Sequence, residues 1–175
     1  MIYKDWKRRY QNQAGFTLIE VIVSLAITGF IGLGASMAAT QVMTETSRNR
    51  DYTTASHDAM NAMYWLSRDA QMAQVINGSS GFPETSPLSM LWTDWDGVSH
   101  NATYSFMNGA LTRTYNVDGQ ITQTLIAAHV SPAMTSTNCT SDNGTITLTI
   151  TSTVGQGLRA ASVTRVREMT SRPKL

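Results

Sequence analysis

The sequence predicts an α+β protein in which one long N-terminal helix, membrane-spanning in its first half, packs on a C-terminal antiparallel β-meander. Three observations predict this fold. An apolar run extends from Phe16 to Ala39 with Glu20 as its single charge. A stripe of small apolar residues at helical spacing follows, in a stretch (41–76) without proline or glycine. After Gly81, apolar and polar residues alternate, and Asn-Gly and Asp-Gly pairs mark turns.

The apolar run is long enough to cross a membrane. Its 24 residues would form about 36 Å of helix at ~1.5 Å per residue, against a hydrocarbon layer of ~30 Å. Four bases precede the run (Lys4, Lys7, Arg8 and Arg9), whereas the acids of the segment after it, 45–51, are balanced by two arginines. The positive-inside rule therefore predicts a cytoplasmic N-terminus and a C-terminal bulk outside the membrane.

Residues 15–21, with the sequence Gly-Phe-Thr-Leu-Ile-Glu-Val, resemble the cleavage and methylation motif of type IV pilins and type II secretion pseudopilins. Members of that family have a short basic leader that ends in glycine, then usually phenylalanine, then an apolar segment with glutamate at its fifth position. If Phe16 is the first mature residue, Glu20 is the fifth. The resemblance covers roughly the first forty residues.

The resemblance implies that a prepilin peptidase cuts between Gly15 and Phe16 and that the new α-amino group of Phe16 is methylated. It also implies that Glu20 pairs with the positive terminus of a neighbouring pilin or pseudopilin and sets the register of the assembly. Physically, a carboxylate inside a membrane-length helix is costly unless something in the membrane pairs with it. Opposite charges also attract far more strongly at low dielectric than in water.

Two other fates of the N-terminus remain open. A signal peptidase could cut after the run, where Ser36-Met37-Ala38 provides small residues at the right spacing. Alternatively, no cut occurs and the segment is a plain single-span anchor. The apolar region of a signal peptide is normally 7–15 residues long and uncharged, so the length of this run and its Glu20 favour the pilin-type cut.

The expected organisation is a leader (1–15), a transmembrane and assembly part of the helix (16–40), its amphipathic continuation (41–76) and an extracytoplasmic β-rich domain (77–175).

Many major pilins carry proline where this chain has Met37, which favours a minor subunit. Residues 109–113 loosely resemble minor subunits of the J or W type. The function implied is a minor pilin or pseudopilin that initiates or caps a type II secretion pseudopilus or type IV pilus at the inner membrane. The alternative is a membrane-anchored or secreted binding module that joins no filament.

The helix is predicted from Phe16 to about Ile76, with a weak point near its glycines. Its continuation carries a buried stripe (Ala55, Ala59, Ala62, Leu66, Ala70 and Ala73). Around Asn108-Gly109, pairing predicts Phe106 opposite Leu111, Tyr104 opposite Arg113 and Ala102 opposite Tyr115. Arg113 would then lie among aromatic rings, with its guanidinium reaching water or a tyrosine face. Asp118-Gly119 predicts a second hairpin leading to a strand at 121–126. Further strands are expected at 145–151 and 161–168, giving five to six in all, with 131–144 as a long loop.

Charge and composition argue against several kinds of function and site. The net charge is +1, and the leader contributes four bases and one acid, so its removal leaves about −2. No direct nucleic-acid binding is therefore expected from the mature chain. The three histidines have no metal-ligand spacing among themselves or to Cys139. The single cysteine cannot form an internal disulfide; it could pair between chains, but a partly buried thiol without a role is favoured.

No arrangement in the sequence favours catalysis or a cofactor. Asp94 and Asp96 form an Asp-x-Asp-Gly fragment of a calcium loop, but the later ligands that such a loop needs do not follow, so a turn between strands is the better interpretation. Trp92 and Trp95 either form a patch for a partner or pack in the core. His57 and Asp58 lie near Ser56 without triad geometry. We therefore expect no enzyme and no bound cofactor.

Overall fold

The computed structural model describes residues 15–107, 109–142, 145–157 and 160–172. Its first element is helix α1, Leu18–Met72, which is 55 residues long and continuous through its three glycines, so the expected weak point does not interrupt the helix. The chain divides into two compact units, one up to Glu45 and one from Thr46 onward. The long helix and the antiparallel sheets that follow it confirm the predicted α+β fold.

The first unit is a helix whose apolar side chains are exposed. Two hydroxyl groups within its apolar run donate to backbone carbonyls about one turn earlier. Ser24 Oγ donates to the Val21 carbonyl at 2.9 Å, and Thr28 Oγ1 donates to the Ser24 carbonyl at 2.7 Å. A helix in lipid must satisfy its polar groups internally, and these two hydroxyl groups do so.

In the second unit, the alanine stripe is buried as predicted. Each of its six residues is fully inaccessible (Ala55, Ala59, Ala62, Leu66, Ala70 and Ala73). Helix α1 ends at Met72 rather than near Ile76, so the predicted C-terminal boundary is wrong by about four residues. Residues Val75–Asn77 instead form strand β1 and pair with the next strand. The spacing of the apolar residues could not show that the helix ends at Met72, because Ala73 continues the buried stripe although it lies beyond the helix.

The second unit contains two antiparallel sheets. The first comprises β1 Val75–Asn77, β2 Leu88–Thr93, β3 Ser99–Met107, β4 Ala110–Val117 and β5 Gln120–Ala127, in spatial order 1-2-3-4-5. The second comprises β6 Asn138–Asp142, β7 Thr145–Val154 and β8 Ala161–Thr170, in order 6-7-8. The described part of the chain therefore holds eight strands rather than the five to six predicted.

Strand β6 lies within the segment that was predicted to be a long loop. Its sequence, Asn-Cys-Thr-Ser-Asp, has little of the aliphatic alternation that identifies a strand. The strand forms because its backbone pairs with β7 and because Cys139, which is 1% exposed, packs in the core. Strand propensity depends strongly on such neighbours, so the local sequence did not reveal it.

Both hairpins predicted from turn dipeptides are present. Phe106 pairs with Leu111, Tyr104 with Arg113 and Ala102 with Tyr115, as the Asn-Gly turn predicted. Asp118 and Gly119 join β4 to β5 with φ values of 48° and 82°, the left-handed conformation that a two-residue hairpin turn requires.

The core of the second unit lies between the buried stripe of α1 and both sheets. The largest fully buried side chains come from all of these layers: Leu66, Phe82, Leu88, Met90, Tyr104, Leu111, Ile146, Leu148 and Ile150. A smaller cluster joins Ala55 and Ala59 of the helix to Val163 of β8. The helix contributes mostly alanine side chains to this core, whereas the strands contribute larger side chains.

Candidate functional site: the start of helix α1

The predicted processing site lies at the point where the helix begins. Gly15, Phe16 and Thr17 precede α1, and all three are exposed. Thr17 caps the helix: its carbonyl accepts from the backbone N–H of Glu20 at 3.0 Å, and its Oγ1 lies 3.4 Å from the same nitrogen. The Thr-x-x-Glu spacing is that of a capping box, which explains why the helix begins here within an apolar sequence.

Glu20 lies in the first turn of α1 and its side chain is exposed. A carboxylate at this position is favoured by the positive end of the helix dipole. Among the residues that the structure describes, no cation lies within ion-pair distance of Glu20. The helix start therefore presents an anion that the described part of the chain leaves without a cationic partner. The predicted leader bases (Lys4, Lys7, Arg8 and Arg9) lie outside the described residues.

The surface around Glu20 is apolar and uncovered. Phe16 is 82% exposed, and eleven further large apolar residues up to Met37 are also exposed: Leu18, Ile19, Val21, Ile22, Val23, Leu25, Ile27, Phe30, Ile31, Leu33 and Met37. A soluble protein rarely leaves so large an apolar surface in water. The most apolar 18-residue window of α1 has a mean hydropathy of 2.1 and is 0% buried, as a segment that contacts lipid or other helices would be.

In the β domain, the structure brings Arg113 to a carboxylate that the sequence did not reveal. Arg113 Nε donates to Asp69 Oδ2 at 2.6 Å, and its Nη2 donates to Oδ1 at 3.1 Å. The Tyr104 hydroxyl also donates to Asp69 Oδ2, at 2.6 Å. Asp69 is 2% exposed, so this is a buried, fully hydrogen-bonded ion pair that ties α1 to β3 and β4.

The surroundings of Arg113 agree with its predicted aromatic environment. Its Cζ lies 4.2 Å from the Tyr115 ring centroid and 5.1 Å from that of Trp65. Burial would lower the pKa of Arg113, but its hydrogen bonds to Asp69 and the charge of Asp69 outweigh this effect and raise it. Burial and the neighbouring Asp69 together raise the pKa of Tyr104 well above its usual range. Both groups therefore keep their ordinary protonation states, which suits a structural network.

A cleft of about 290 Å³ lies beside this network, lined in part by Trp65, Trp92, Asp94, His100 and Tyr115. The Trp92 and His100 rings are stacked at 5.2 Å, and His100 Nδ1 lies 2.7 Å from the Tyr115 hydroxyl. His100 Nε2 lies 2.8 Å from Asp94 Oδ2, outside hydrogen-bond geometry. These contacts join β2, β3 and β4 and place the Tyr115 hydroxyl beside the His100 imidazole, whose other nitrogen lies beside the Asp94 carboxylate.

The candidate calcium fragment is a turn, as predicted. The Asp94 N–H donates to the Val98 carbonyl at 3.0 Å, and Gly97 has φ of 84°. The carboxylate of Asp94 faces His100, and that of Asp96 accepts from the Val98 N–H at 3.3 Å. No cluster of three or more potential metal ligands occurs among the described residues.

The remaining candidate residues differ in the solvent exposure and contacts of their side chains. Trp92 is 4% exposed and packs in the core, whereas Trp95 is 96% exposed. Asp58 Oδ1 lies 4.0 Å from His57 Nδ1, whereas Oδ2 accepts from the His129 backbone N–H and lies 2.7 Å from His129 Nδ1. Cys139 is buried, and burial raises the pKa of its thiol to about 11, which agrees with the interpretation of an inert thiol.

A capped, exposed apolar helix with an acidic first turn, followed by an antiparallel β domain, is the arrangement expected of the pilin class that the N-terminal motif resembles. Comparison with protein families supports this class: residues 10–36 match the family model described as the prokaryotic N-terminal methylation motif. No curated protein and no solved structure matches the chain significantly. The motif indicates a pilin-type protein processed by prepilin peptidase, with its apolar helix as a single-pass anchor.

Proposed function

We propose that this chain is a minor pilin or minor pseudopilin, a structural subunit that initiates or caps a type II secretion pseudopilus or a type IV pilus. The observation that carries the proposal is Glu20: a carboxylate in the first turn of an exposed apolar helix, with no cation beside it in the described residues. A subunit of this kind acts by assembly and not by catalysis.

The partner that fits Glu20 is the α-amino group of a neighbouring subunit. An isolated carboxylate in hydrocarbon is costly, and the cost is met by a cation held in the same low-dielectric region. Cleavage between Gly15 and Phe16 creates an amino group four residues before Glu20, at the same end of the helix. When two helices lie side by side with a small axial shift, the amino group of one reaches the carboxylate of the other.

The geometry of the cleavage site is compatible with processing. Gly15 and Phe16 lie ahead of the first helical turn and are exposed, so their peptide bond is not protected by helix hydrogen bonds. The methylated product would start at Phe16, followed by the cap residue Thr17. In the proposed organisation, residues 1–15 are the leader, with its four bases in the cytoplasm, 16–40 form the membrane part and 77–175 the outer β domain.

We propose a minor role because this chain has Met37 at the position where many major pilins carry proline. The helix passes through this position without interruption. Partners would be the prepilin peptidase and other pilins or pseudopilins that bundle through their N-terminal helices.

Intact mass of the chain purified from membranes of a bacterium with a prepilin peptidase tests the processing. The expected mass corresponds to loss of residues 1–15 and gain of one methyl group. A chain that starts near Ala39 would indicate ordinary signal-peptide cleavage, and an intact Met1 would indicate the alternative of a plain anchored binding module. Either result contradicts the proposal.

Glu20→Gln tests the assembly role. The variant keeps the size of the side chain but removes the charge, so we expect it to be cleaved and held in the membrane yet absent from sheared filaments. Glu45→Gln, the same change on the same helix beyond the apolar run, is the control and should enter filaments as the parent does. Equal incorporation of the two variants would refute the pairing role of Glu20.

A further inference from the structure

The cleft beside the Arg113–Asp69 ion pair lies between the last turns of α1 and the five-stranded sheet. Its volume of about 290 Å³ is just below the range of ~300–1,000 Å³ that is usual for small-molecule sites, so it suits a ligand smaller than a drug molecule. The side chains that line it and could meet such a ligand are Trp65, Arg68 and Met72 of the helix, and Asp94, Arg113 and Tyr115 of the sheet.

Arg113 has hydrogen-bond donors that its ion pair does not use. A guanidinium group carries five N–H donors in a planar fork, and here Nε and Nη2 each give one of them to Asp69. No other hydrogen bond from this guanidinium occurs among the described residues. The edge formed by Nη1 and Nη2 is therefore free. Because Arg113 lines the cleft and its side chain keeps 11% exposure, a ligand in the cleft can accept from this edge.

Arg68 adds a second cation to the same cleft. It follows Trp65 by one helical turn and is exposed. Its Cζ lies 5.4 Å from the Trp65 ring centroid, and the Arg113 Cζ lies 5.1 Å from the same centroid. Within the described ranges, no carboxylate lies at ion-pair distance from Arg68. Two guanidinium groups against one indole ring favour a carboxylate ligand, because carboxylates accept paired N–H bonds from arginine.

A carboxylate of the chain also lines this cleft. The side chain of Asp94 is 35% exposed, and its Oδ2 lies beside His100, whereas its Oδ1 has no hydrogen bond in the part of the chain that the structure describes. Asp94 is not at ion-pair distance from either arginine. With His100 neutral, the two arginines balance Asp69 and Asp94. The cleft therefore has no net charge but contains a cationic region and a separate anionic group.

We propose that this cleft binds a small amino acid, with its carboxylate on Arg68 and Arg113 and its ammonium group on Asp94. Such a ligand carries no net charge, as the cleft does, and provides a partner for each of the free polar groups. Its methylene groups would contact Trp65 and Met72. A ligand with a carboxylate alone would leave Asp94 without a partner, and a dianion such as phosphate would be repelled by Asp94. The proposal goes beyond filament assembly, because it gives the β domain a ligand of its own.

Isothermal titration calorimetry of the full chain in detergent micelles at neutral pH tests the ligand class. The probes are glycine, β-alanine and γ-aminobutyrate, in which increasing numbers of methylene groups separate the carboxylate from the ammonium group. Acetate and methylammonium, which each carry only one of the two groups, are the ligand controls, and inorganic phosphate tests simple anion binding. We expect at least one amino acid to bind with one-to-one stoichiometry and at least about tenfold more tightly than either control, because each charged end adds a charge-assisted hydrogen bond.

Three variants test the residues. Arg68→Gln removes one cation from the cleft and should weaken binding of the best amino acid about tenfold or more. Asp94→Asn removes the charge that attracts the ammonium group and should weaken it by a similar factor, while the backbone bond between Asp94 and Val98 that shapes the turn is kept. Arg50→Gln, the same change at an exposed arginine of α1 that is not among the residues lining the cleft, is the control and should bind as the parent does.

Unchanged urea unfolding midpoints would show that the variants keep the fold, which is expected because Arg68 and Asp94 lie outside the buried ion pair. The proposal is overturned if no amino acid binds more tightly than acetate and methylammonium, if phosphate binds most tightly, or if Arg68→Gln binds as well as Arg50→Gln. These outcomes are read from the isolated chain, so they do not depend on the proposed filament role.

Discussion

Removing the carboxylate of Asp69 is expected to destabilise the β domain more than any other single loss of a charge among the described side chains. The Asp69→Ala change leaves Arg113, whose side chain is 11% exposed, without an anion, and leaves the Tyr104 hydroxyl without its acceptor. Breaking a buried ion pair by removing one partner typically costs about 3–5 kcal/mol. Because three hydrogen bonds converge on this carboxylate, we expect a value in the upper half of that range.

Substitutions of the two other residues of the network should reduce the stability of the domain by different amounts. Tyr104→Phe removes one hydrogen bond to a charged acceptor and should cost about 1.5–3 kcal/mol. Arg113→Met leaves the carboxylate buried beside a single hydroxyl and should cost nearly as much as Asp69→Ala. The double variant Asp69→Leu, Arg113→Met removes both charges together and should lie within about 2 kcal/mol of the parent.

Urea unfolding of the full chain in detergent micelles, followed by tryptophan fluorescence, measures these values, since Trp65 lies against Arg113. Asp58→Ala is the control on the same helix: its carboxylate, in a side chain 15% exposed, accepts from the His129 backbone N–H beside a His129 side chain that is 43% exposed, so a smaller loss of about 1–2 kcal/mol is expected. Two results would show that the ion pair does not couple the helix to the sheet. One is a loss of stability in the double variant equal to the sum of the losses in the single variants; the other is a loss below about 1 kcal/mol for Asp69→Ala.

Three further outcomes are expected. Gly78→Ala should destabilise the fold by more than about 2 kcal/mol, because φ of 82° strains any side chain and the new Cβ would collide with the Pro87 carbonyl oxygen; Gly97→Ala, with a similar φ but open space, should cost less in the same urea titration. The buried Cys139 thiol, whose pKa burial raises to about 11, should react with a thiol reagent at pH 8 at least about 100-fold more slowly in the folded chain than in the denatured chain; equal rates would contradict its burial. Burial and Asp69 raise the pKa of Tyr104, so above about pH 10, the ordinary tyrosine pKa, the unfolded state loses the proton more readily than the folded state. The free energy of unfolding should therefore be independent of Tyr104 ionisation below about pH 10 and decrease above it. The Tyr104→Phe variant should show a smaller decrease at alkaline pH.

The local sequence predicted the elements whose signals repeat within a few residues. The alanine stripe predicted the buried face of α1, because residues at spacings of three and four share one side of a helix. The turn dipeptides predicted two hairpins, and the first fixed its register through the length of the turn. The motif at 15–21 predicted a pilin-type start, which the family comparison supports.

Features that depend on long-range contacts were missed. Asp69 lies three residues after Leu66 and four before Ala73, on the predicted buried face of α1, but the sequence does not identify its partner Arg113, 44 positions later. Strand β6 was missed because its pairing with β7 and the burial of Cys139 define it. The end of α1 was misplaced because residues 75–77 gain backbone pairing in the sheet that local propensity does not represent.

The sequence by itself determined that this chain has an apolar helix with one acid near its start, since charge, length and spacing act locally and need no partner within the fold. It also determined where two of the hairpins turn. Only the tertiary structure decided which polar side chains are buried together and which of them line one cleft. Those properties arise where segments distant in the chain exclude water from one another, and no short window of sequence contains both sides of such a contact.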